Sequence, residues 1–529
     1  MKIPVIDIFA GPGGLGEGFS NTPSPNKRVF ESKLSIEMDE NAHKTLELRS
    51  FFRQFSMKNV PSEYYKVLQA GDLEVREELI NELYKKYPKQ SKKAKKEAWQ
   101  ATLGVVPESE VDKRIENALK GEKNWVLIGG PPCQAYSLVG RSRRQWKENL
   151  DNEDVRVHLY KEYLRIIANH SPAVFVMENV KGLLSSKVEG VKMFDLIKSD
   201  LQNPSQVYPN ARHKYKIYSL TADPIEYEKT GKPTYKTDTD YLIRCEDYGI
   251  PQKRHRVILL GVREDIKAVP GILKKTKNQV SLESIIDDLP KVRSGINRSF
   301  IRSEIIEGKK KRYYKNEKDS DKHWLNLVNN FRSEIISWNG FAKEYSSTLI
   351  EAPANGTGSE FIECKTPLSN NPLYEWYKDE RINGTCNHQS RSHLVEDIKR
   401  YMFSSMFSKT YRRFPRLPEF EEHGPELLPD HRNVKSGKFA DRFRVQLPNE
   451  PATTVTSHIS KDGHYFIHYD SDQCRSLTVR EAARIQTFPD NYLFRGSRTA
   501  QYHQVGNAVP PFLAHQIATI VLKIFRSIE

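Results

Sequence analysis

The sequence has few cysteines and no long apolar stretch. Its 529 residues contain 5 cysteines, which stand far apart and never form the Cys-x-x-Cys pairs typical of zinc sites. Separated thiols in odd number also argue against a disulfide framework and favour a reducing cytoplasm. No run of about 18 apolar residues occurs, and the N-terminus, MKIPVIDIFAGPGG, lacks the apolar core of a signal peptide. We therefore expect a cytoplasmic protein without a metal site and without a membrane partner.

The composition excludes a disordered chain and a single small domain. A typical domain has roughly 100–200 residues, far fewer than this chain. The 25 Tyr, 23 Phe and 6 Trp residues supply enough apolar surface for packed cores. Lys and Arg (83) outnumber Asp and Glu (68), for a net charge of +15. This excess indicates either a polyanionic partner or a solvated, lysine-rich surface.

Short, continuous apolar runs predict a parallel sheet. The runs IPVIDIF, NWVLIGG, SPAVFVMENV and HRVILLGVR alternate with helical stretches such as VHLYKEYLRIIA. This alternation predicts a Rossmann-like α/β domain over residues 1–266, with an exposed, charged helical insertion at about 43–120. Residues 267–455 are rich in basic, polar and aromatic residues without regular spacing, and we expect a second, smaller mixed domain there. Residues 456–529 are expected to complete that domain and return to the first.

The first apolar run is followed by a glycine-rich turn, AGPGGLGEGF. Gly11, Gly13 and Gly16 form a Gly-x-Gly-x-x-Gly pattern, and Glu37 ends the next apolar run. Glycines let a ligand approach the backbone closely, and an acidic side chain in that position can bind ribose hydroxyls. The pattern predicts a nucleotide-type ligand, either a dinucleotide or S-adenosylmethionine; the alternative is a tight structural turn.

Three further motifs place reactive side chains at strand ends. Cys133 lies in GGPPCQAYS, where two prolines stiffen the loop, as suits a nucleophile; a lone cysteine is otherwise most often buried and inert. Glu178 ends VFVMENV, where apolar surroundings can keep a carboxyl group protonated; the alternative is an ion-paired edge glutamate. Lys253, Arg254 and Arg256 precede the last strand and can orient a base carbonyl or a phosphate, unless they form a solvated basic turn.

Six sequence blocks, in this order, resemble the conserved blocks of the DNA (cytosine-5)-methyltransferase family. They lie within residues 3–266 and 451–521 and read FAGPGGLGEGF, GGPPCQAYS, MENVKGLL, DYGIPQKRHRVILLG, SLTVREAARIQTFPD and QVGNAVPPFLAHQIA. The resemblance implies a Rossmann-like S-adenosylmethionine-dependent methyltransferase domain, a smaller mixed target-recognition domain and a cleft between them. It also implies methyl transfer to carbon 5 of a cytosine that is flipped out of a specific duplex DNA sequence.

The same resemblance assigns roles by motif match. Cys133 is expected to add to carbon 6 of the base, Glu178 to hold ring nitrogen 3 and the amino group, and Arg256 to contact the base carbonyl. The insertion obscures the acidic residue expected beside the adenine of the cofactor, for which Asp72 is the candidate. The other expected cofactor contacts are Phe9, Gly11, Gly13, Gly14, Leu15, Glu37, Met38, Pro131, Asn507 and Val509.

DNA contacts are expected near the nucleophile and in the second domain. Gln134 and Ser137 match positions that contact the DNA backbone or the space that the base vacates. Basic residues alternate with rings in KKKRYYK (309–315) and KTYRRFPR (409–416), a pattern suited to nucleic acid. The remaining residues expected to contact DNA are Arg254, Lys309, Lys310, Lys311, Arg312, Arg412 and Arg413.

Double-stranded DNA is therefore the expected partner. We expect a nucleoid-associated prokaryotic enzyme, the modification component of a restriction-modification or similar defence system, with a separately encoded endonuclease or defence proteins as partners. A transfer RNA cytosine-5 methyltransferase is the first alternative, although such relatives tend to lack a large recognition domain. A catalytically silent DNA-binding repressor is the second, although it would be expected to lose Cys133 or Glu178, and both are present.

Overall fold

The structure is a computed structural model, and it describes residues 1–24, 26–132, 155–188, 190–307, 309–338, 341, 345, 349–364, 371–429 and 441–528. Its main sheet has eight strands: β1 (Ile3–Ile8), β2 (Phe30–Glu37), β3 (Ala98–Gln100), β4 (Val126–Gly129), β5 (Val174–Val180), β6 (Tyr215–Tyr218), β7 (Leu242–Arg244) and β8 (His255–Arg263). Further along the chain lie β9 (Arg298–Ile306), β10 (Lys309–Asn316), β11 (Gly358–Glu363) and β12 (Gly384–Gln389).

Helices of at least seven residues surround this sheet or belong to the later part of the chain. In the described residues they are α1 (Gly14–Ser20), α2 (Glu40–Arg53), α3 (Ser62–Gln69), α4 (Leu73–Lys86), α5 (Pro88–Glu97), α6 (Glu108–Leu119), α7 (Val155–His170), α8 (Met193–Gln202), α9 (Asp321–Ser337), α10 (Val395–Tyr411), α11 (Leu417–His423), α12 (Val479–Ile485), α13 (Arg498–Asn507) and α14 (Pro511–Arg526).

The sheet is parallel in its larger part. Strands β1 to β5 are parallel neighbours in the order β3-β2-β1-β4-β5. Strand β8 pairs with β5 in antiparallel orientation along one edge. Along its other edge, the first residues of β8 pair with β7 and the last residues pair with β6. The five parallel strands therefore end at one edge, where open α/β sheets bind their ligands. The expected Rossmann-like α/β class is confirmed.

Alternation along the strands gives the sheet two apolar faces. Val5 belongs to a core that includes α1 and α14, whereas its neighbour Ile6 faces the opposite core with α6, α7 and α8. The apolar stretch Arg498–Arg526 is long enough to cross a membrane, but 72% of its apolar window is buried inside the protein. Helix α14 therefore serves here as a core element, and it packs with α1 on one face of the sheet.

The range predicted as an insertion, 43–120, contains more than an insertion. Strand β3 is an edge strand of the main sheet, and α6 packs against one of its faces. Helices α3 and α4 instead pack against Ile382 and Cys386, which belong to the later part of the chain. The additional element is thus mainly residues 62–86.

Residues 280–497 form a second lobe with two cores, one of which it shares with the returning helix α13. One core joins α12 and α13 to Leu282, Ile285 and Tyr377, and the other surrounds α9 and α10. Strands β11 and β12 form an antiparallel pair, as do β9 and β10. The chain then returns through α13 and α14 to the sheet.

Candidate active site

The glycine-rich turn after β1 packs directly against the returning C-terminal segment. Phe9, Gly11 and Gly13 have φ angles of 56°, 57° and 96°, the left-handed region that disfavours residues with a Cβ. A Cβ on Gly14 would lie 2.2 Å from the carbonyl oxygen of Val509. The turn therefore requires glycine at position 14 for close packing, while a Cβ on Gly11 would meet no atom within 4 Å.

Glu37 ends β2 beside this turn. Its Oε2 accepts a hydrogen bond from the Gly11 backbone N–H at 2.7 Å, and its Oε1 accepts one from the Asp39 N–H at 2.8 Å. Burial raises the pKa of Glu37, and the two backbone N–H groups oppose that effect. Met38 is 60% exposed at the same edge, and Gln100, the sheet neighbour of Glu37, ends β3 there. The sequence pattern did not indicate that Gln100 lies at this edge.

Glu178 and Arg256 form an ion pair at the ends of neighbouring strands. The Arg256 Nε lies 2.7 Å from Glu178 Oε1, and both side chains are 14% exposed. The other carboxyl oxygen, Oε2, would be 2.9 Å from a Cβ on Gly130, so it faces the loop that follows β4. Pro131 is buried in that loop. The next residues, among them Cys133, Gln134 and Ser137, lie outside the described residues.

The C-terminal block completes this edge. Val509 is 8% exposed against the glycine turn, and Leu15, on the first turn of α1, is 5% exposed in the core. Asn507 is exposed at the end of α13, with its amide 3.4 Å from His503. The structure thus brings the predicted cofactor residues of the glycine turn, β2 and the C-terminal block to one edge of the sheet. Asp72, the remaining candidate, lies elsewhere.

The expectation that Asp72 contacts the cofactor is wrong in this structure. Asp72 is exposed and caps α4, because its carboxylate accepts hydrogen bonds from the backbone N–H groups of Glu74 (2.8 Å) and Val75 (3.0 Å). An aspartate before a helix is a preferred N-cap. That helix packs against the second lobe and away from the sheet.

The expectation that Arg254 contacts DNA is also wrong in this structure. Arg254 is 1% exposed, and its guanidinium donates hydrogen bonds to the carbonyls of Val455 (2.7 Å), Ala508 (2.9 Å) and Gly506 (3.4 Å). Burial lowers its pKa to about 9. These bonds tie the residue before β8 to Val455 of the second lobe and to the end of the returning helix α13.

The basic cluster 309–312, which is expected to contact DNA, lies on a strand, β10. Together with β9 it forms a two-stranded ribbon, in which Lys309 and Lys311 point to one face and Lys310 and Arg312 to the other. The ribbon carries Ile305 at 77% exposure.

The second predicted basic cluster lies after α10. Arg412 is exposed and ends this helix with a φ of 58°. Arg413 is ion-paired with Glu419 at 2.6 Å, and its guanidinium lies 5.0 Å from the centre of the Phe407 ring. The Glu419 carboxylate therefore neutralises part of the positive charge of this cluster.

Asp7 is a buried acid that sequence reasoning missed. It lies within the apolar strand β1, is 1% exposed, and neither carboxyl oxygen accepts a hydrogen bond from a described protein atom. Burial raises its pKa to about 8, opposed by the charge of Arg53. Its Oδ2 would be 3.0 Å from a Cβ on Gly16, so it lies directly below the glycine turn. The sequence did contain a signal for this buried residue, namely a single acidic residue inside an apolar run.

Comparisons with known proteins agree with this site. The profile of the family described as C-5 cytosine-specific DNA methylase matches residues 86–210 and 226–523. The chain is 31% identical to Type II methyltransferase M.Bpa9945I of Bacillus paralicheniformis, with 98% of each chain covered. It is 26% identical to Type II methyltransferase M.DdeI of Desulfomicrobium norvegicum, with 99% of this chain and 90% of the relative covered. A crystal structure of a prophage-encoded DNA modification methyltransferase of E. coli superposes with a TM-score of 0.52 at 18% identity, covering 99% of this chain and 100% of that one.

The fold and the family match define a methyltransferase. Within that class, the chain belongs to the C-5 cytosine-specific DNA methylase family, and it is a DNA (cytosine-5)-methyltransferase.

Proposed function

We propose that this enzyme methylates carbon 5 of a flipped-out cytosine in a specific duplex DNA sequence, with Cys133 as nucleophile and Glu178 and Arg256 holding the base. The observation that carries the proposal is the position of the Glu178–Arg256 pair. It lies beside the loop that leads to Cys133 and at the same sheet edge as the glycine turn.

The residues of this edge fit S-adenosylmethionine. The open space beside Gly11 leaves its backbone accessible to a ligand, and the Glu37 carboxylate, held by two backbone N–H groups, suits the two hydroxyls of a ribose. We propose that Phe9, Gly13, Leu15, Met38, Pro131, Asn507 and Val509 complete the pocket. When bound, S-adenosylmethionine supplies an electrophilic methyl group.

Cys133 is the favoured nucleophile because the other thiols are poorly suited to ionise. Burial raises the pKa of Cys245 to about 12 and that of Cys386 to about 11, and it also raises the pKa values of Cys364 and Cys474. A thiolate, not a thiol, attacks carbon.

The chain's own residues then act on the cytosine ring. The Cys133 thiolate forms a bond to carbon 6 and the ring electrons shift towards nitrogen 3. Glu178, protonated on Oε2 while Oε1 stays beside Arg256, delivers that proton to nitrogen 3 and becomes the carboxylate. Carbon 5 becomes enamine-like and reactive towards an electrophile. Loss of the carbon 5 hydrogen to a base, breakage of the bond from sulfur to carbon 6 and return of the nitrogen 3 proton to Glu178 restore the neutral aromatic ring and the thiolate. Arg256 fixes Glu178 Oε1 at 2.7 Å, which leaves Oε2 directed towards the base site.

The second lobe is proposed to read the DNA sequence. The ribbon β9–β10 combines exposed isoleucines with cations, and a two-stranded ribbon fits the major groove of duplex DNA. A transfer RNA substrate and a silent repressor are not favoured, because the full-length relatives are named type II methyltransferases. We propose that the enzyme protects prokaryotic DNA in the cytoplasm against a separately encoded endonuclease of the same specificity.

The test is a duplex with 5-fluorocytosine at the target position. Fluorine cannot leave as the hydrogen does, so a covalent adduct that survives denaturant should accumulate with cofactor present. Sequencing of 5-methylcytosine in DNA from expressing cells identifies that target first. Cys133→Ser should form no adduct, whereas the matched control Cys364→Ser should form as much as the wild type. Failure of the wild type to form an adduct on its methylated sequence would contradict the mechanism.

A further inference from the structure

Helices α3 and α4, residues 62–86, lie between α2 and the second lobe, and we call them the brace. Their apolar side chains share one core with Phe52 of α2 and with Ile382 and Cys386 of the second lobe. The Gln69 amide also donates a hydrogen bond to the Ile382 carbonyl at 3.0 Å. The brace is therefore attached to both lobes.

A buried ion pair fastens the brace to β11. Arg76 is 1% exposed, and its Nη1 lies 2.8 Å from Oε2 of Glu360, which is 8% exposed. A charge buried this deeply requires a partner, since an unpaired one is strongly destabilising. Arg76 and Glu360 are 284 residues apart, so the pair fixes a contact that the local chain does not impose.

Glu360 also joins two further elements. Its Oε2 accepts a hydrogen bond from the Asn387 amide of β12 at 2.9 Å, and the Gln501 amide of α13 lies 3.2 Å from its Oε1. Helix α13 ends at Asn507, just before Val509 packs against the glycine turn. One carboxylate thus connects the brace, the paired strands β11 and β12, and the helix leading into the proposed cofactor pocket.

A second polar connection runs from the brace to α1. The Tyr65 hydroxyl donates to Asp379 of the second lobe at 2.7 Å, and Asp379 accepts from Asn491 at 2.9 Å. The Asn491 side-chain oxygen accepts from Arg49 at 2.9 Å, and Arg49 donates to Glu17 of α1 at 2.9 Å. Burial would raise the pKa of Glu17, but Arg49 outweighs it and lowers the pKa to about 2.

We propose that the brace aligns the second lobe with the cofactor pocket, and that Tyr65 and Arg76 are positioning residues for methyl transfer and sequence discrimination. Both polar connections begin in the brace and pass through the second lobe. One ends on α13, which is followed by Val509 at the glycine turn, and the other ends on α1, which begins in that turn. The inference rests on the proposed function, since it assumes that the second lobe reads DNA while that turn holds the cofactor.

The first test removes the ion pair without leaving a charge buried. In Arg76→Met/Glu360→Gln the glutamine keeps an oxygen acceptor for Asn387 and Gln501, so the local hydrogen bonds have a substitute. We expect at least a tenfold loss in the ratio of kcat/KM between the target duplex and a duplex with one base pair changed. Binding of S-adenosylhomocysteine without DNA should stay within twofold of wild type.

The second test is Tyr65→Phe, which removes one hydroxyl and keeps the ring. Its matched control is Tyr87→Phe, because the Tyr87 hydroxyl bonds Glu63, a partner inside the brace. We expect Tyr65→Phe to lower discrimination threefold or more and Tyr87→Phe to behave as wild type. If the double variant does not fold, Tyr65→Phe decides the question alone.

Wild-type discrimination in a folded double variant, or in Tyr65→Phe, would overturn the proposal. So would an equal loss in Tyr87→Phe, which would indicate general loosening of the brace. Competition binding between the two duplexes measures discrimination without chemistry. Failure of the proposed function would instead appear as absence of the 5-fluorocytosine adduct in the wild type, so the two failures are distinguishable.

Discussion

Gly14 lies where the proposed cofactor turn meets the backbone of Val509, and Gly14→Ala tests that pocket. The new Cβ would lie 2.2 Å from the Val509 carbonyl oxygen, whereas ordinary contacts begin at 3.4 Å. The turn or the C-terminal segment must therefore move by about 1.2 Å, the difference between these distances. Overpacking of this kind costs ~1–3 kcal/mol. If the cofactor requires the undisturbed turn, its affinity should fall about 5- to 150-fold, since about 1.4 kcal/mol is tenfold.

The assay is calorimetric titration of S-adenosylhomocysteine into the free enzyme, which needs neither DNA nor turnover. Gly71→Ala is the matched control, because a Cβ there meets no atom within 4 Å. Circular dichroism and the thermal midpoint should show that both variants fold. A folded Gly14→Ala enzyme with wild-type affinity would refute the reasoning and place the cofactor elsewhere.

Three further predictions concern the proposed catalytic acid, the buried aspartate and the ribbon. Glu178→Gln should lower kcat at least a hundredfold, because an amide cannot deliver a proton, but it should change S-adenosylhomocysteine affinity less than threefold. A loss of affinity without a loss of kcat would contradict the role of Glu178 as the proton donor. Asp7→Asn should gain stability over wild type by about 1.4 kcal/mol per pH unit between pH 4 and 8. Burial raises the pKa of wild-type Asp7 to about 8, so the folded protein keeps a proton that the unfolded chain loses. The stability of the wild type therefore falls as pH rises through that range. A constant difference between the denaturation midpoints of the two proteins would count against this prediction. Replacing residues 309–312 by glutamine should reduce the log–log salt slope of DNA binding by about 1.8. Only two of the four side chains share a strand face, and each phosphate contact contributes about 0.9 to the slope. The control is the same replacement of lysines 92, 93, 95 and 96 on α5.

The strands and the residues at their ends could be predicted from sequence. Short apolar runs bounded by glycine or proline indicated the main strands of the sheet, and residues that follow parallel strands must gather at one edge. That geometry brought Glu37 and Glu178 to the same edge as Gly11. Resemblance then supplied candidate roles, which neither periodicity nor charge could have given.

The residues that could not be predicted have partners far away in the sequence. The pattern around Arg254 is that of a basic turn, and only the approach of Val455 and Ala508, more than 200 residues later, shows that the side chain is buried. Asp72 was misassigned for the related reason that an acid before a helix can be a cap or a ligand. Charge specifies what a side chain can bind, whereas burial decides what it does bind.

The brace and Arg254 together explain how the second lobe keeps its orientation. The lobe is inserted between β8 and α13, and Gln252–Lys253, just before β8, pairs with Ala452–Thr453 of the lobe. An attachment confined to that base would permit hinge rotation. Tyr65 and Arg76 attach the lobe at two further places, Asp379 and β11, and these attachments restrict such a rotation. Alignment of the lobes is then established when the protein folds, so DNA binding does not have to supply the free energy for it.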